Sequence, residues 1–247
     1  KRQMLCSAFS VWKIWNDEGG EKPIFLAGHS FGEYTALCAS EAVKFKDAVK
    51  LVKKRAECMK AAPEGVMAAI IGIDYDDLKS VYDENKLTEV SIANINAPGQ
   101  IVISGTNSGV KELSDLAMLK KAKKIIPLPV SVASHSYLMQ EQSEIFKEFI
   151  KNIKISEPLI PVINNVDVKN EKIEKNIKDA LVRQLYSSVR WVETIDYMEQ
   201  QGVDSLLELG PGKVLTSFNK RIDNSIKSLS VSDSNSLETA LEIVGSI

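Results

Sequence analysis

The chain has 247 residues, 44% apolar and 26% charged, and its 31 Lys and Arg against 33 Asp and Glu leave a formal charge of −2. That length can bury a full core, as one large domain or as a body with an inserted subdomain. Near-neutral charge argues against a dominant nucleic-acid or membrane-surface role, and no uninterrupted apolar run is long enough to span a bilayer.

In chain order, Leu5, Ala8, Phe9, Trp12 and Trp15 recur at helical spacing, and Gly19-Gly20 ends that helix. Lys1-Arg2 before Met4-Leu5-Cys6 fits the start of this amphipathic helix better than a signal sequence, so a cytoplasmic protein is expected. After Pro23 the apolar run Ile24-Phe25-Leu26-Ala27 reads as a strand leading into Gly28-His29-Ser30-Phe31-Gly32. G-x-S-x-G after a strand is the sequence form of a nucleophile elbow, where glycines on both sides allow a sharp turn and place the serine Oγ at a helix N-terminus. The plain reading of the same pentapeptide is a Gly-rich turn. A helix continues through Glu33, Tyr34, Ala36, Leu37 and Ala39, and another from about Asp47 to Lys60 carries Ala48, Leu51, Val52, Ala56 and Met59 on one stripe. Arg55 lies four residues from both Leu51 and Met59, so its guanidinium points inward, where a buried cation needs a partner. That partner is either anionic or hydrogen-bonding, and the plain reading is a salt bridge to a protein carboxylate such as Glu33.

From Gly65 the pattern becomes βαββαβ, with strands at 67–73, 90–95, 100–104 and 124–130 and helices near 76–84 and 109–119. This order predicts a ferredoxin-like sheet, with Asn96-Ala97-Pro98-Gly99 as its central tight turn. The body then resumes: helix 137–152, strand 160–164, helices 173–186 and 192–201, strand 205–209, Gly210-Pro211-Gly212 and a final helical pair. Cys6, Cys38 and Cys58 fall on predicted helices without metal-ligand spacing and read as reduced, buried thiols; no metal is expected.

A serine nucleophile generally needs a base, and the chain has two histidines. His29 adjoins Ser30 on the elbow, where neighbouring side chains diverge, and is expected to pack or to hydrogen-bond within the turn. His135, in Val132-Ala133-Ser134-His135-Ser136 between a strand and a helix, occupies the kind of loop position that often carries catalytic groups. A lone histidine is otherwise most simply a packed or surface residue.

With these residues in view, the chain resembles the malonyl-CoA:acyl-carrier-protein transacylases of fatty-acid synthesis and the acyltransferase domains of polyketide synthases. The resemblance rests on residues 28–34 (GHSFGEY), Arg55, 94–100 (NINAPGQ), Pro129-Val130-Ser131-Val132 leading to Ser134-His135, 164–168 (NNVDV), Arg183-Gln184-Leu185-Tyr186 and Glu208-Leu209-Gly210-Pro211-Gly212. It implies an α/β-hydrolase-like large subdomain (residues 1–63 and 129–247) with an inserted ferredoxin-like small one (64–128), and an active site in the cleft between them. It also implies Ser30 as nucleophile, His135 as general base, Arg55 as the binder of the malonyl carboxylate, the Phe31 N–H as an oxyanion donor and the backbone carbonyl at Gln184 as the group that orients the imidazole. The implied reaction is ping-pong malonyl transfer from a coenzyme A thioester to the phosphopantetheine thiol of acyl carrier protein, by a monomer with no cofactor. A serine hydrolase or thioesterase, and a catalytically impaired carrier-binding fragment, are the alternatives.

Family members begin with a strand and a Gly-Gln-Gly loop that supplies part of the oxyanion site, whereas this chain opens in the following helix, which predicts weak activity and poor stability for the chain alone. Ala133-Ser134-His135-Ser136 also occurs in polyketide acyltransferases that take methylmalonyl units, while Pro129-Val130-Ser131-Val132 and Leu138-Met139 favour malonyl. Lys44, Lys46, Lys50, Lys53 and Lys54, and Lys120, Lys121, Lys123 and Lys124, either attract the acidic carrier or are simply solvated surface.

Overall fold

Helix α1 (Arg2–Asp17) buries Leu5, Trp12 and Trp15 along one stripe and is followed by Gly19 at φ 79°. The computed structural model describes residues 2–130 and 132–244. Lys1, Ser131 and residues 245–247 lie outside that range, including the serine of Pro129–Val132. The chain then forms β1 (Leu26–Ala27), α2 (Gly32–Ala39) and α3 (Phe45–Ala61). Next come β2 (Val66–Ile71), α4 (Tyr75–Glu84), β3 (Val90–Ala97), β4 (Gln100–Gly105), α5 (Asn107–Leu119) and β5 (Lys124–Pro127). A 3₁₀ turn at Tyr137–Met139 leads into α6 (Gln140–Ile150), β6 (Val162–Ile163) and α7 (Glu174–Arg183). The last elements are β7 (Val189–Arg190), α8 (Trp191–Gln200), β8 (Ser205–Leu209), α9 (Val214–Ile222), β9 (Lys227–Val231) and α10 (Ser234–Val244).

The fold is α/β, and the βαββαβ stretch makes the expected sheet. Its strands run β5-β2-β4-β3, antiparallel throughout, which is the ferredoxin-like order. Helices α4 and α5 cover one face through Leu78, Val81, Val110 and Leu113, packed on Ile70, Ile101 and Ile103. The β3–β4 hairpin closes at Pro98-Gly99, with Ala97 paired to Gln100 and Gly99 at φ 66°. Proline before a positive-φ glycine is the chemistry of a type II turn. Asn96 and Ala97 therefore belong to the strand rather than to the turn.

Two short strands escaped the sequence reading. β7 adds to the small sheet, parallel to β3 at Asn94↔Val189 and Ile95↔Arg190, so the segment that follows α7 is tied to the small sheet. β9 separates the two final helices and pairs in parallel with all five residues of β8. Among the described residues, β1–β6 and β8–β9 are separate two-stranded parallel sheets. Their side chains nonetheless share packing, since Leu26, Leu207, Leu209 and Leu229 gather around Trp12 and Trp15.

The main core of the large body lies between α2, α3, α6 and α7, with Tyr34, Leu37, Leu51, Phe146, Ile150 and Leu181 buried together. It anchors the elbow helix α2 from beneath. Cys38 and Cys58 are buried here, whereas Cys6 is exposed on the outer side of α1, contrary to the expectation for all three thiols. Helical position explains the difference, because Cys6 follows the inward-facing Leu5 by a single residue.

Candidate active site

Strand β1 ends at Ala27, and α2 begins at Gly32, which leaves four residues to reverse from strand to helix. Ser30 takes φ 51° in that turn, a left-handed conformation that costs a non-glycine residue about 1–2 kcal/mol. Gly28 is required by close approach, since a Cβ there would sit 1.9 Å from the Gly32 carbonyl carbon. Gly32 is not, because a Cβ on it would meet nothing within 4 Å. Only one of the two flanking glycines is thus demanded by sterics.

The turn brings Ser30 Oγ to 2.7 Å from His135 Nε2, across 105 residues of sequence. His135 itself adopts φ 60°, donates its backbone N–H to the Leu185 carbonyl (2.9 Å) and places Nδ1 2.8 Å from the Gln184 carbonyl oxygen. A carbonyl can only accept, so Nδ1 carries the ring proton and Nε2 presents its lone pair to the serine hydroxyl. Burial, reinforced by the Arg55 charge, pulls the imidazole pKa down to about 3. The ring is therefore neutral at pH 7 and free to accept a proton.

Arg55 is 2% exposed and donates from Nη2 to Ser30 Oγ at 3.0 Å, with its guanidinium 5.7 Å from the centre of the Tyr34 ring. Its Nε has no hydrogen-bond partner. The protein-carboxylate reading fails, because Glu33 Oε2 instead accepts from the Asn165 N–H (3.0 Å) and Gln184 Nε2 (2.7 Å). Among the described residues Arg55 makes no ion pair within 4 Å. A buried cation with no carboxylate within ion-pair distance is costly in a resting protein.

The backbone of Ser30 is held at both ends. Its N–H donates to Asn165 Oδ1 (2.6 Å), and its carbonyl accepts from Gln184 Nε2 (3.0 Å). Asn165 Nδ2 also donates to the Gly28 carbonyl (2.8 Å). Phe31 occupies the N-cap of α2, and its N–H makes no hydrogen bond among the described residues. His29 turns away: Nε2 lies 2.7 Å from Asn96 Oδ1 at the end of β3, and the ring packs against Trp191 and Phe218. It bonds across to the small sheet instead of within the turn, because the elbow aims consecutive side chains to opposite sides.

The sequence reading missed Glu33, Asn165 and the side chain of Gln184 as parts of the site. The available signals were a glutamate on the elbow helix one turn after Ser30 and an Asn pair at the carboxyl end of a strand, where α/β folds gather their ligands. Among the described residues no group of three His, Cys, Asp or Glu is placed to hold a metal ion.

A serine in a strand–turn–helix elbow, hydrogen-bonded to a neutral buried imidazole and faced by an unpaired guanidinium, defines the class as an α/β acyltransferase. The chain belongs to the acyl transferase family: the acyl transferase domain matches residues 4–238. It is 41% identical over 244 residues to the malonyl CoA-acyl carrier protein transacylase of Escherichia coli (strain K12), covering 97% of this chain and 79% of that one. To the protein of the same name from Bacillus subtilis (strain 168) it is 47% identical over 234 residues, covering 91% and 73%. It also superposes with a TM-score of 0.93 and 42% identity on a malonyl-transacylase solved in complex with a type II PKS acyl-carrier protein, covering 97% of this chain and 79% of that one.

Proposed function

We propose that this chain transfers a malonyl group from coenzyme A to the phosphopantetheine thiol of acyl carrier protein through a malonyl-Ser30 ester, for fatty-acid synthesis. The observation that carries this reading is the Ser30 hydroxyl set between the His135 lone pair and the carboxylate-free Arg55 guanidinium. As Oγ attacks the thioester carbonyl, His135 Nε2 takes its proton, and the carbonyl oxygen becomes an oxyanion received by the Phe31 N–H. Collapse breaks the carbon–sulfur bond, and the departing thiolate takes the proton back from His135. In the second half-reaction the carrier thiol gives its proton to His135 and attacks the ester, and Ser30 regains its hydrogen. The Gln184 carbonyl holds Nδ1–H throughout and stabilises the transient imidazolium.

Arg55 makes a paired, planar contact with the malonyl carboxylate and selects acidic acyl groups, because an acetyl group would leave the buried cation uncompensated. The malonyl thioester and the carrier thiol suffice as substrates, so the reaction calls on no cofactor. The same proposal has the chain act as a cytoplasmic monomer, with the site between residues 1–63 and 129–247 on one side and 64–128 on the other. No helix of the described residues is long and apolar enough to cross a membrane.

Mass spectrometry after mixing with malonyl-CoA tests the reading. The expected result is a malonyl adduct on Ser30 that carrier thiol discharges, absent in Ser30→Ala. Arg55→Ala is expected to lower kcat/KM for malonyl-CoA by about 100-fold, roughly the 2–3 kcal/mol of a lost charge-assisted pair, with acetyl-CoA changed far less. Free malonate released without any adduct makes the chain a hydrolase, and carrier binding without acylation makes it a binding module.

A further inference from the structure

We propose that Glu33 is a positioning residue for acyl transfer: by holding Gln184 and Asn165 on one carboxylate oxygen, it fixes both the backbone of Ser30 and the ring of His135. The inference rests on the reading of Ser30 as nucleophile and His135 as base, and it adds a group that touches neither substrate nor reacting atoms.

The connections are few and complete. Glu33 Oε2 accepts from Gln184 Nε2 at 2.7 Å and from the Asn165 N–H at 3.0 Å. Gln184 Nε2 also donates to the Ser30 carbonyl, and the Gln184 backbone carbonyl accepts from His135 Nδ1. Asn165 receives the Ser30 N–H on Oδ1 and holds the Gly28 carbonyl on Nδ2. Among the described residues, the side-chain hydrogen bonds to the backbone of Ser30 and to the Gly28 carbonyl therefore all come from residues tethered to Glu33. The tether joins three separate pieces of chain: the first turn of α2, the loop after β6 and the end of α7. All three residues are buried.

A solvent-exposed glutamate could not do this, because water would compete for its oxygens; a buried one has few other partners. Charge-assisted hydrogen bonds are roughly twice as strong as neutral ones, so the ionised form clamps harder. Burial raises the Glu33 pKa to about 7, with the two hydrogen bonds and the Arg55 charge from α3 opposing that rise and the Asp167 charge from the loop after β6 adding to it. Glu171 lines the same small cavity, of about 10 Å³, from the segment before α7, and Tyr34 is the neighbouring titratable group on α2 itself. Above pH 7 the carboxylate form dominates; below it the clamp loses its charge. Because His135 is depressed to about 3 in the free protein, it does not titrate in that window.

The test follows the first half-reaction alone, malonyl-CoA to malonyl-Ser30 with CoA release, so that no carrier thiol ionises. Wild type, Glu33→Gln, Glu33→Ala and Ser30→Ala are compared from pH 5.5 to 9, with thermal unfolding of each. The expected result for Glu33→Ala is an acylation rate constant lowered at least tenfold with KM within about threefold. Glu33→Gln keeps the acceptor oxygen without the charge. It is expected to match wild type within about twofold at pH 6, to fall several-fold behind at pH 8.5 and to lose the limb in kcat/KM centred near pH 7, a profile that reports groups of the free enzyme. A folded Glu33→Ala that acylates within twofold of wild type overturns the proposal, as does an acid limb near pH 7 that persists unchanged in Glu33→Gln. If Glu33→Ala does not fold, the Glu33→Gln profile decides. Acylation surviving in Ser30→Ala overturns the nucleophile reading instead, whereas an inert Ser30→Ala beside unaffected Glu33 variants removes the positioning role alone.

Discussion

Ser30 and His135, the two residues that share the 2.7 Å hydrogen bond, are both held at positive φ, 51° and 60°. Neither is glycine, so each conformation is imposed by its surroundings and not by local preference, a pattern typical of functional sites. For Ser30 the imposing contacts are Asn165, Gln184 and the close passage of Gly28 over the Gly32 backbone. Gly28→Ala is expected to be destabilising by on the order of 3 kcal/mol, the upper range for overpacking, because the added methyl would strike backbone at 1.9 Å. Gly32→Ala, with open space around the new methyl, is expected to stay folded with little change in unfolding midpoint. Paired denaturant titrations check this, and equal midpoints for the two variants would show that the elbow relaxes more easily than its spacing indicates.

At the level of elements, the site depends on how α7 ends. Arg183 in its last turn donates from Nη1 and Nη2 to the two oxygens of Asp167 (2.9 and 2.6 Å) and from Nε to Asp179 (2.6 Å). This bidentate pair fastens the end of α7 to the loop after β6, one residue from Gln184. The Arg183 hydrogen bonds hold the Asp167 carboxyl below its usual range. A depressed acid contributes stability above its unfolded pKa of about 3.9 and loses it as pH falls through the lower folded value. Asp167→Asn is expected to cost up to about 1 kcal/mol at pH 7, after allowance for partial exposure, with the difference shrinking below about pH 4. Chemical denaturation at pH 7 and at acid pH measures it, and a deficit that persists undiminished in acid would rule out the ion pair as its source.

The same scale explains what the sequence made legible. Ser30, His135 and Arg55 could be read because a pentapeptide, a scarcity of histidine and a helical stripe are all local signals. The ferredoxin-like order was equally readable, since its strands and helices alternate with clear periodicity. Gln184 as the orienting carbonyl came only from family resemblance, because a backbone oxygen leaves no mark in side-chain pattern. Glu33 was read only as a candidate partner of Arg55, and Asn165 only within a family motif, since the partners they in fact hold lie more than 130 residues away. β7 has two residues, too few to announce a strand, whereas β9 carries the serine–apolar alternation of a half-buried strand and was overlooked between the two final helices.

For the molecule as a whole, a formal charge of −2 conceals local imbalance. Lys120, Lys121, Lys123 and Lys124 are all exposed, at the end of α5 and the start of the edge strand β5. Beside them stand Leu119, 85% exposed, and the exposed Met118 and Ile126. Near α3, Lys50 and Lys53 pair with Asp47 and Glu57 and Lys54 lies over the Phe149 ring, while Lys44 and Lys46 are exposed and make no ion pair among the described residues. The denser run of lysines without an ion pair among the described residues is the one at the small sheet's edge, and attraction of an acidic carrier to it would act mainly on association rate. Reversing all four charges to glutamate is expected to slow the second half-reaction about tenfold or more at low ionic strength, and to leave acylation by malonyl-CoA comparatively unaffected. Raising salt to about 0.15 M, where the screening length is about 8 Å, should bring wild type towards the variant. Carrier transfer no slower in the variant, with the same salt dependence as wild type, would return these lysines to plain solvated surface and move the docking site elsewhere.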